Sequence, residues 1–529
     1  MRDKKTYKKI GFMILIIVSI LSIFRILFLA NRDIFTSDMA TAVLIANEQI
    51  VTQSFFPEGW VYADSIWIAT LNLLVIPFRL FFDDWLLCRE LAVCVQTILA
   101  VFVFYKTGKS ITKYGFWFPV VMLIPVSTVV LDNYYLQATY ITVAVWYFII
   151  LSGVFAFFEN KKYAYIKLSA SCILMAILCI QSVRHLMSFM MPLIAGVILF
   201  YITQWKKYKE IKLNLQSRHL IVIAALFISA AAGMVIQLVV KEQVILETFS
   251  LDITIDDGAL VLARMKGTVA HIFSLFGAVG GGKLISLTGV MRFLRTVYCF
   301  FALLICPYYL YKHYRILNNT EKIFLNYHVV CMGLLMYTTV FTNVDGYARY
   351  LLPVYANSLI LVIMVLGDLW VKEQQVILSL CVITLAAIGV YCHAHYNLYD
   401  YNMDEETVCD GYPLEDNQAI MKFLLENNLT KGYGNYWCSA ISSVLTDGQV
   451  EVLALKYDSG DLEPYYWLNS VTWYEERQPN EKCFLWITKE EIEQNLIPES
   501  YFNQAIEVIN YEDLYTFLIF EQDIFMYKE

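Results

Sequence analysis

The carboxylate of Asp38 is the first side chain in this sequence that could take part in chemistry. It lies eight residues after the first long apolar segment, in the stretch Asn31-Arg-Asp-Ile-Phe-Thr-Ser-Asp38. A carboxylate can act as a general base that removes a proton from a hydroxyl group, if desolvation gives it a suitable pKa. The alternative is structural, because Thr36, Ser37 or Asp38 could cap a helix expected at 39–51. Position alone leaves both interpretations open, and they are compatible.

Arg349 is a second candidate, in the stretch Asn343-Val-Asp-Gly-Tyr-Ala-Arg-Tyr350-Leu-Leu-Pro353 at the start of a late apolar segment. A planar guanidinium group can bind a phosphate through two parallel hydrogen bonds. We place Tyr350 in the same candidate phosphate site. Two structural alternatives remain for Arg349: an ion pair with Asp345, and an interfacial anchor whose charged head reaches the lipid headgroups.

Further basic side chains lie in connections predicted on the same side of the membrane. Arg184 and Lys266 are candidates for additional phosphate contacts, and His185 is a candidate for a substrate contact. Arg184 and His185 would equally serve as interfacial anchors. Lys266 belongs to a loop at 241–289 whose acidic residues could neutralise it. Those acidic residues are Asp252, Asp256 and Asp257.

Two aromatic residues and an acid stand close together in Phe56-Pro-Glu-Gly-Trp-Val-Tyr-Ala-Asp64. Trp60, Tyr62 and Asp64 could form a sugar-binding surface, in which an aromatic face packs on the sugar and the carboxylate accepts its hydroxyl groups. The alternative is that Trp60 and Tyr62 belong to the aromatic belt at the membrane interface.

Composition places these residues in a membrane protein. The chain has 529 residues, of which 59% are hydrophobic and only 16% are charged. Its mean hydropathy is +0.55. A soluble globular domain has about 25% charged residues, so the sequence predicts an α-helical polytopic membrane protein.

A membrane-spanning helix needs about 20 mainly apolar residues. By that measure the sequence predicts eleven spans, roughly at 11–30, 86–105, 116–131, 138–158, 165–183, 186–203, 219–240, 290–311, 323–342, 350–368 and 375–393. The apolar run at 65–82, with Pro77 inside it, is not counted, because a full span there would reverse the side of every later connection. It is predicted to be a surface or re-entrant helix within a large first outer loop at 31–84.

Basic residues decide the orientation. The N-terminal segment and the connections after every second span hold 19 Lys and Arg residues, whereas the opposite connections are longer and poorer in bases. Basic connections stay on the cytoplasmic side. Eleven spans then place the N-terminus in the cytoplasm and the C-terminal tail outside.

The tail differs from the rest in charge and in pattern. Residues 400–529 contain 26 Asp and Glu against 7 Lys and Arg. We therefore divide the chain into a transmembrane domain at 1–393 and an acidic extracytoplasmic α/β domain at 394–529. Within the tail, the pattern predicts helices at 417–428 and 489–495 and strands at 450–456, 483–488 and 515–520. This charge argues against nucleic acid as a partner, because phosphate backbones bind Lys and Arg clusters.

Together these features resemble the GT-C superfamily of membrane glycosyltransferases, which includes protein O-mannosyltransferases and bacterial aminoarabinose transferases. The resemblance rests on an acid in the first outer loop, surface helices in that loop, an external C-terminal domain, and Arg349-Tyr350 followed by Pro353. It covers the membrane portion in architecture and only short motifs in sequence. The tail pattern Gly432-Tyr-Gly-Asn-Tyr-Trp437, with Pro464 and Trp467, is similar to tails of such enzymes from Gram-positive bacteria.

By that resemblance Asp38 would be the catalytic base, and Arg349 would contact the phosphate of a polyprenyl-phosphate sugar. Many relatives have a second acid where this chain has Ser37-Asp38-Met39. The metal-binding acid motifs of oligosaccharyltransferases are not evident either. We therefore expect no metal and no other cofactor.

The resemblance implies an inverting transferase that moves a hexosyl or pentosyl group from a polyprenyl-phosphate donor to an extracytoplasmic glycan, glycolipid or protein of a bacterial cell envelope. It would work in the lipid bilayer of the plasma membrane, with a donor synthase and a flippase as candidate partners. The topology agrees, since nucleotide sugars stay in the cytoplasm and an outward-facing site needs a lipid-linked donor. The alternative is a transporter or flippase of lipid-linked glycans.

Overall fold

The computed structural model describes residues 2–63, 65–208, 217–247, 254–255, 258–279, 283, 285–344, 346–371, 417–458 and 461–527. The predicted span at 375–393 and the domain boundary at 394 lie outside these residues, as do Asp64, Asp252, Asp256, Asp257 and Asp345. The chain forms two compact units. The membrane unit comprises Met1–Ile26, Gln96–Val240 and Ser250–Cys409, and the sheet unit comprises Leu27–Val95, Lys241–Phe249 and Asp410–Glu529.

Helices account for most of the described residues. In chain order they are α1 (Arg2–Ile34), α2 (Ser37–Val51), α3 (Asn72–Arg79), α4 (Trp85–Ile111), α5 (Phe118–Met122), α6 (Thr128–Leu131), α7 (Thr139–Phe158), α8 (Ala164–Gln181), α9 (Met191–Tyr208), α10 (Ser217–Lys241), α11 (Gly258–Leu275), α12 (Leu287–Phe300), α13 (Cys306–Lys312), α14 (Asn319–Phe341), α15 (Leu352–Val371), α16 (Asn417–Glu426), α17 (Tyr436–Leu445), α18 (Val471–Glu475), α19 (Lys489–Glu493) and α20 (Glu499–Gln504). Single 3₁₀ or π turns lie at Gly115–Trp117, Asp132–Leu136, Leu186–Met190, Phe301–Ile305, Tyr314–Ile316, Ala348–Leu351 and Ile524–Tyr527.

Eight helical segments among the described residues are long and apolar enough to cross a membrane, which confirms a multi-pass membrane protein. They are Trp85–Ile111, Thr139–Phe158, Ala164–Gln181, Leu186–Gln204, Ser217–Lys241, Leu287–Lys312, Asn319–Phe341 and Ala348–Leu369. Each coincides with a span predicted from the sequence. The first predicted span, at 11–30, lies in α1, whose apolar part is Phe12–Phe28.

The segment predicted as a span at 116–131 is not one continuous helix. It divides into α5 and α6, with Pro125 in the break between them. A proline lacks the N–H that a helix interior needs and disfavours helical geometry at the residue before it. Ser127 then begins α6 as its N-cap, where its hydroxyl accepts a hydrogen bond from Val130 N at 3.1 Å. Hydropathy counted these residues correctly as apolar but did not register the interruption.

Small residues allow close packing between helices of the membrane unit. A Cβ atom on Gly196 of α9 would lie 2.8 Å from the backbone N and Cα of Tyr327 in α14. One on Gly233 of α10 would lie 2.9 Å from Cβ of Cys179 in α8. Small residues at such crossings let helix backbones approach closely in a membrane, where packing rather than water exclusion holds helices together.

The sheet unit is built on six strands of the tail. They are β3 (Lys431–Asn435), β4 (Glu451–Asp458), β5 (Asp461–Pro464), β6 (Cys483–Thr488), β7 (Glu507–Tyr511) and β8 (Tyr515–Phe520), in the spatial order β5-β4-β3-β6-β8-β7. Strand β3 runs parallel to both neighbours, β4 and β6, and the remaining pairs are antiparallel. The prediction of a small α/β domain in the tail is therefore confirmed.

Segments from 31–84, predicted as the first outer loop, and from 245–246 belong to the same unit. Strand β1 (Val61–Tyr62) pairs in parallel with β2 (Ile245–Leu246). The helix predicted at 39–51 is α2, and within 65–82 only α3 is helical. At the far end of α2, the carboxylate of Glu48 accepts a hydrogen bond from Nε1 of Trp473 at 2.7 Å. Burial raises the pKa of Glu48 above its usual value.

Candidate functional site

Asp38 lies in the first turn of α2, and Thr36 rather than Asp38 caps that helix. The Thr36 hydroxyl accepts a hydrogen bond from Met39 N at 3.4 Å. The carboxylate of Asp38 is therefore not needed as the cap, although the partial positive charge at a helix N-terminus favours an acid there. Asp38 is half-buried, whereas its neighbours Ser37 and Met39 are buried. The carboxylate thus stands at the edge of a packed turn.

Tyr436, nearly four hundred residues later in the chain, hydrogen-bonds to Asp38. Its hydroxyl donates to Oδ1 of Asp38 at 2.8 Å. The residues next to this pair are also hydrogen-bonded to each other: the hydroxyl of Ser37 donates to the carbonyl of Trp437 at 3.0 Å. Nδ2 of Asn417, the first residue of α16, donates to the carbonyl of Phe35 at 3.1 Å. Three hydrogen bonds therefore tie the start of α2 to the tail.

The junction of β3 and α17 explains why Tyr436 is available for this contact. Asn435 ends β3 and caps α17, with its side-chain oxygen accepting from Trp437 N at 2.9 Å and Cys438 N at 3.1 Å. Its Nδ2 donates to Oε1 of Glu491, at the start of α19, at 2.8 Å. Tyr436 is the first residue of α17 and is only 9% exposed. The position of Tyr436 after β3 is therefore fixed through Asn435, which is hydrogen-bonded to both α17 and α19.

This junction is the switch point of the sheet. The chain leaves β3 through α17 to reach β4 on one side, and β6 lies on the other side of β3. In open α/β sheets, ligands bind outside the carboxyl ends of the parallel strands at such a point. The first turn of α2, with Asp38, hydrogen-bonds to the residues at this end of β3.

The surroundings of Asp38 are aromatic and acidic. The ring of Tyr436 lies 5.1 Å from that of Trp437 and 6.1 Å from that of Tyr465. Burial, then the negative charge of Asp38, raises the pKa of the Tyr436 hydroxyl well above its usual range. Burial and the charges of Glu247 and Asp38 raise the pKa of Tyr465 to about 12. Both phenols therefore stay protonated at neutral pH and can donate hydrogen bonds.

Arg89 is a site residue that the sequence interpretation missed. It is fully buried near the start of α4, and its Nε donates to the carbonyl of Met39 at 2.7 Å. Its guanidinium carbon lies 5.4 Å from the ring centre of Phe35. The signal was present in the sequence, because Arg89 and Glu90 are two adjacent charged residues inside a predicted apolar span. Charged residues in such a position usually have a partner or a purpose.

Trp60 and Tyr62 are in the same unit as Asp38 but are buried. Trp60 is 1% exposed and Tyr62 is 0% exposed. The ring of Trp60 packs edge-on against that of Trp473, with the ring centres 5.8 Å apart. Val61, which separates Trp60 from Tyr62 in the sequence, donates its N–H to the carbonyl of Asn469 at 2.8 Å. In this structure their rings pack inside the unit and present no face to solvent. A contact between these rings and a sugar therefore stays a prediction.

The remaining candidates belong to the membrane unit. Arg349 lies in the turn Ala348–Leu351, and its guanidinium carbon is 4.8 Å from the ring centre of Tyr347 and 5.5 Å from that of Tyr350. Cation–π contacts of this kind orient a guanidinium group. Val344 lies five residues before Arg349, and its carbonyl accepts a hydrogen bond from Arg264 of α11 at 2.9 Å. Lys266 on the same helix is exposed.

His185 and Arg184 precede α9, and only Arg184 is partly exposed. His185 is 1% exposed, and its Nδ1 lies 2.7 Å from the hydroxyl of Tyr147. Tyr147 also lines a mostly apolar pocket between α7, α14 and α15. Leu352 and Pro353, which follow Arg349, line the opposite wall. No group of three or more His, Cys, Asp or Glu side chains in the described part of the chain is arranged to hold a metal ion.

The apolar helices and the α/β sheet unit define the class: a multi-pass membrane protein with a GT-C-like fold, which confirms the fold expected from the sequence. The particular solved structure that carries this assignment is the crystal structure of ArnT from Cupriavidus metallidurans bound to undecaprenyl phosphate. The match covers 96% of this chain and 98% of that chain, with a TM-score of 0.54 and 9% sequence identity. At that identity the likeness establishes the fold and not the activity. Comparisons with protein-family patterns and with curated proteins find no match.

Proposed function

We propose that this protein is an inverting glycosyltransferase that moves a sugar from a polyprenyl-phosphate donor to an acceptor outside the cytoplasmic membrane. The observation that carries the proposal is the half-buried carboxylate of Asp38, held by Tyr436 at the switch point of the sheet. It occurs in a chain with the fold of ArnT, whose crystal structure contains undecaprenyl phosphate. Fold and carboxylate together favour transfer chemistry over a purely structural role.

In the proposed reaction Asp38 acts as the general base. Its carboxylate removes the proton from an acceptor hydroxyl group, and the oxygen attacks the anomeric carbon of the donor sugar. A new glycosidic bond forms as the bond between that carbon and the phosphate oxygen breaks. Polyprenyl phosphate departs with the bonding electrons, and attack from the opposite face inverts the anomeric configuration. The proton ends on Asp38.

We assign the phosphate to Arg349. The guanidinium group of Arg349 contacts two tyrosine rings, which restrains its orientation. It can form two parallel hydrogen bonds with phosphate oxygens, and its charge would stabilise the departing phosphate. Tyr350, Arg184 and Lys266 remain candidates for further donor contacts. Leu352 and Pro353, three and four residues after Arg349, line a small apolar pocket.

The acceptor is proposed to be a glycan, glycolipid or protein of a cell envelope, reached from the outer side of the plasma membrane. The N-terminus would be cytoplasmic and the acidic tail extracytoplasmic. This orientation is predicted by the 19 Lys and Arg residues in the N-terminal segment and in the connections after every second span. A donor on that side must have crossed the membrane as a lipid, which agrees with polyprenyl phosphate as the carrier.

Replacement of Asp38 by Asn tests the proposal. The purified protein in detergent would be given undecaprenyl-phosphate hexoses and pentoses with extracted envelope glycolipids, and release of undecaprenyl phosphate would be measured. Asp38→Asn should lower the rate roughly 10²–10⁴-fold, the usual contribution of a general base. The matched control is Asp84→Asn, because Asp84 caps α4 through Leu87 N at 2.8 Å and Asn caps equally well.

Wild-type rates in Asp38→Asn would overturn the assignment of the base. A wild-type protein that transfers no sugar, but moves these lipids across reconstituted vesicles, would establish the flippase alternative instead.

A further inference from the structure

We propose that Tyr436 is a positioning residue for the proposed reaction, through which the tail domain fixes the carboxylate of Asp38 in its working orientation. This inference rests on the proposed function, because it assigns to the tail a part in the chemistry of Asp38. The tail would then be a component of the active site rather than an appended binding domain.

The hydrogen bond has only one direction available at neutral pH. An ionised carboxylate can only accept, so the phenol of Tyr436 donates to Oδ1 of Asp38 across 2.8 Å. A donor to a charged acceptor forms a stronger bond than a neutral pair does. The bond therefore restrains rotation of the carboxylate, and it favours the ionised form that a base requires.

Tyr436 is itself held rigidly, which a positioning residue needs. Its carbonyl accepts a hydrogen bond from the hydroxyl of Ser439 at 2.9 Å, and Asn435 before it caps the same helix. The carbonyl of Trp437 after it accepts from Ser37 at 3.0 Å. A functional group is held best when packing and a second layer of hydrogen bonds lock its support.

Other ionisable groups around this turn also bear on its titration. Tyr465 packs beside Tyr436, and Glu247 lies near enough to Tyr465 to affect its hydroxyl electrostatically. On α4, Arg89 binds the carbonyl of Met39, with Glu90 next to it. All of these groups remain in place when only the hydroxyl of Tyr436 is removed. A change in pH dependence then reports on that one hydrogen bond.

Tyr436→Phe is the test, and Tyr501→Phe is its matched control. Tyr501 is in the same unit, and its hydroxyl donates to a different carboxylate, Oδ1 of Asp461, at 3.3 Å. Both substitutions remove one phenolic hydroxyl that donates to a carboxylate, so both should lower the melting temperature. Only Tyr436→Phe should lower kcat, by roughly 10–100-fold, and move the acid limb of the pH–rate profile to higher pH by about one unit.

A pH–rate profile of Tyr436→Phe that superimposes on the wild-type profile would overturn the inference about Tyr436. The proposed function would still be tested separately by Asp38→Asn. A second measurement needs no activity: a double-mutant cycle on the melting temperature, with Asp38→Ala, which removes the acceptor, Tyr436→Phe and the double variant. Coupled residues give non-additive shifts. Additive shifts would show that the hydrogen bond does not restrain Asp38, and the inference would then fail even if transfer is observed.

Discussion

At the scale of single residues, the start of α2 separates two tasks that a helix N-terminus often combines in one side chain. Thr36 satisfies the backbone as the N-cap, and Asp38, two residues on, accepts a hydrogen bond from a distant tyrosine. An N-cap carboxylate would have its oxygens directed at backbone N–H groups. Asp38→Asn therefore leaves the N-cap hydrogen bond of Thr36 in place, and the Asn oxygen can still accept from Tyr436, so the variant chiefly removes the charge and the basicity at position 38.

Arg349→Lys tests the donor end of the proposed reaction. Lysine keeps the positive charge but has neither the planar group that packs against Tyr347 and Tyr350 nor the fork that could bind two phosphate oxygens. We expect kcat/KM for the lipid-linked donor to fall roughly 10–100-fold, the equivalent of about 1.5–3 kcal/mol for a hydrogen bond to a charged group. Steady-state kinetics with varied donor concentration would measure this fall in kcat/KM.

The matched control for that prediction is Arg218→Lys. Arg218 also packs over an aromatic ring, with its guanidinium carbon 5.5 Å from the centre of Phe157, and it lies in a connection predicted to be cytoplasmic. It should tolerate the change with donor kinetics unaltered. Equal losses in both variants would indicate a general effect on packing rather than a phosphate site at Arg349.

At the scale of elements, the segment before β1 depends on a glycine. Gly59 has a φ of +76°, and a Cβ atom there would lie 2.7 Å from Cγ2 of Thr472. Its carbonyl accepts a hydrogen bond from Val471 N at 2.9 Å. Gly59→Ala combines left-handed strain with a steric clash, so we expect it to lower the free energy of unfolding by about 1–3 kcal/mol.

Thermal unfolding of the purified protein would measure that loss, with Gly267→Ala as the control. Gly267 lies inside α11, and a Cβ atom added there would meet no atom of the described residues within 4 Å. Alanine in a helix interior is favoured over glycine by about 0.5–1 kcal/mol, so this variant should be unchanged or more stable. A Gly59→Ala protein that unfolds at the wild-type temperature would contradict the predicted strain.

The sequence predicted the elements whose pattern is local and strong. Strands β6 and β8 begin and end where the apolar runs at 483–488 and 515–520 do. Strand β3 and helix α17 were not predicted, because Lys431–Asn435 holds two glycines and few apolar residues. Its place in the centre of the sheet comes from pairing with β4 and β6. Tertiary pairing of this kind overrides a weak local preference.

The site was predictable only in part, for the same reason. Asp38 and Arg349 stand out as charges beside apolar segments, and the family resemblance drew attention to both. Tyr436 lies in the tail pattern 432–437 that forms part of the resemblance, but nothing in that pattern indicates a contact with Asp38 across 398 positions of sequence. Neither helical nor strand periodicity encodes a contact of that range. Only the folded unit brings the two side chains together.

At the scale of the whole molecule, the first outer loop and the tail were predicted as separate regions, yet they share one compact unit. Leu27–Val95, Lys241–Phe249 and Asp410–Glu529 belong together. The proposed base and the residue proposed to position it thus come from opposite ends of the chain. Proper folding of the outer loop should therefore require the tail on the same side of the membrane, which makes the orientation of the chain a decisive property.

Labelling of single cysteines in intact cells tests that orientation. Glu507→Cys lies in the exposed strand β7 of the tail, and Lys161→Cys lies in an exposed connection predicted to be cytoplasmic. We expect a membrane-impermeant maleimide to label Glu507→Cys in intact cells and Lys161→Cys only after permeabilisation. The reason is that basic connections between spans stay on the cytoplasmic side of the membrane. The parent chain, whose described cysteines are mostly buried, controls for background. The reverse pattern would place Asp38 on the cytoplasmic side, where nucleotide sugars are available, and would remove the reason for a lipid-linked donor.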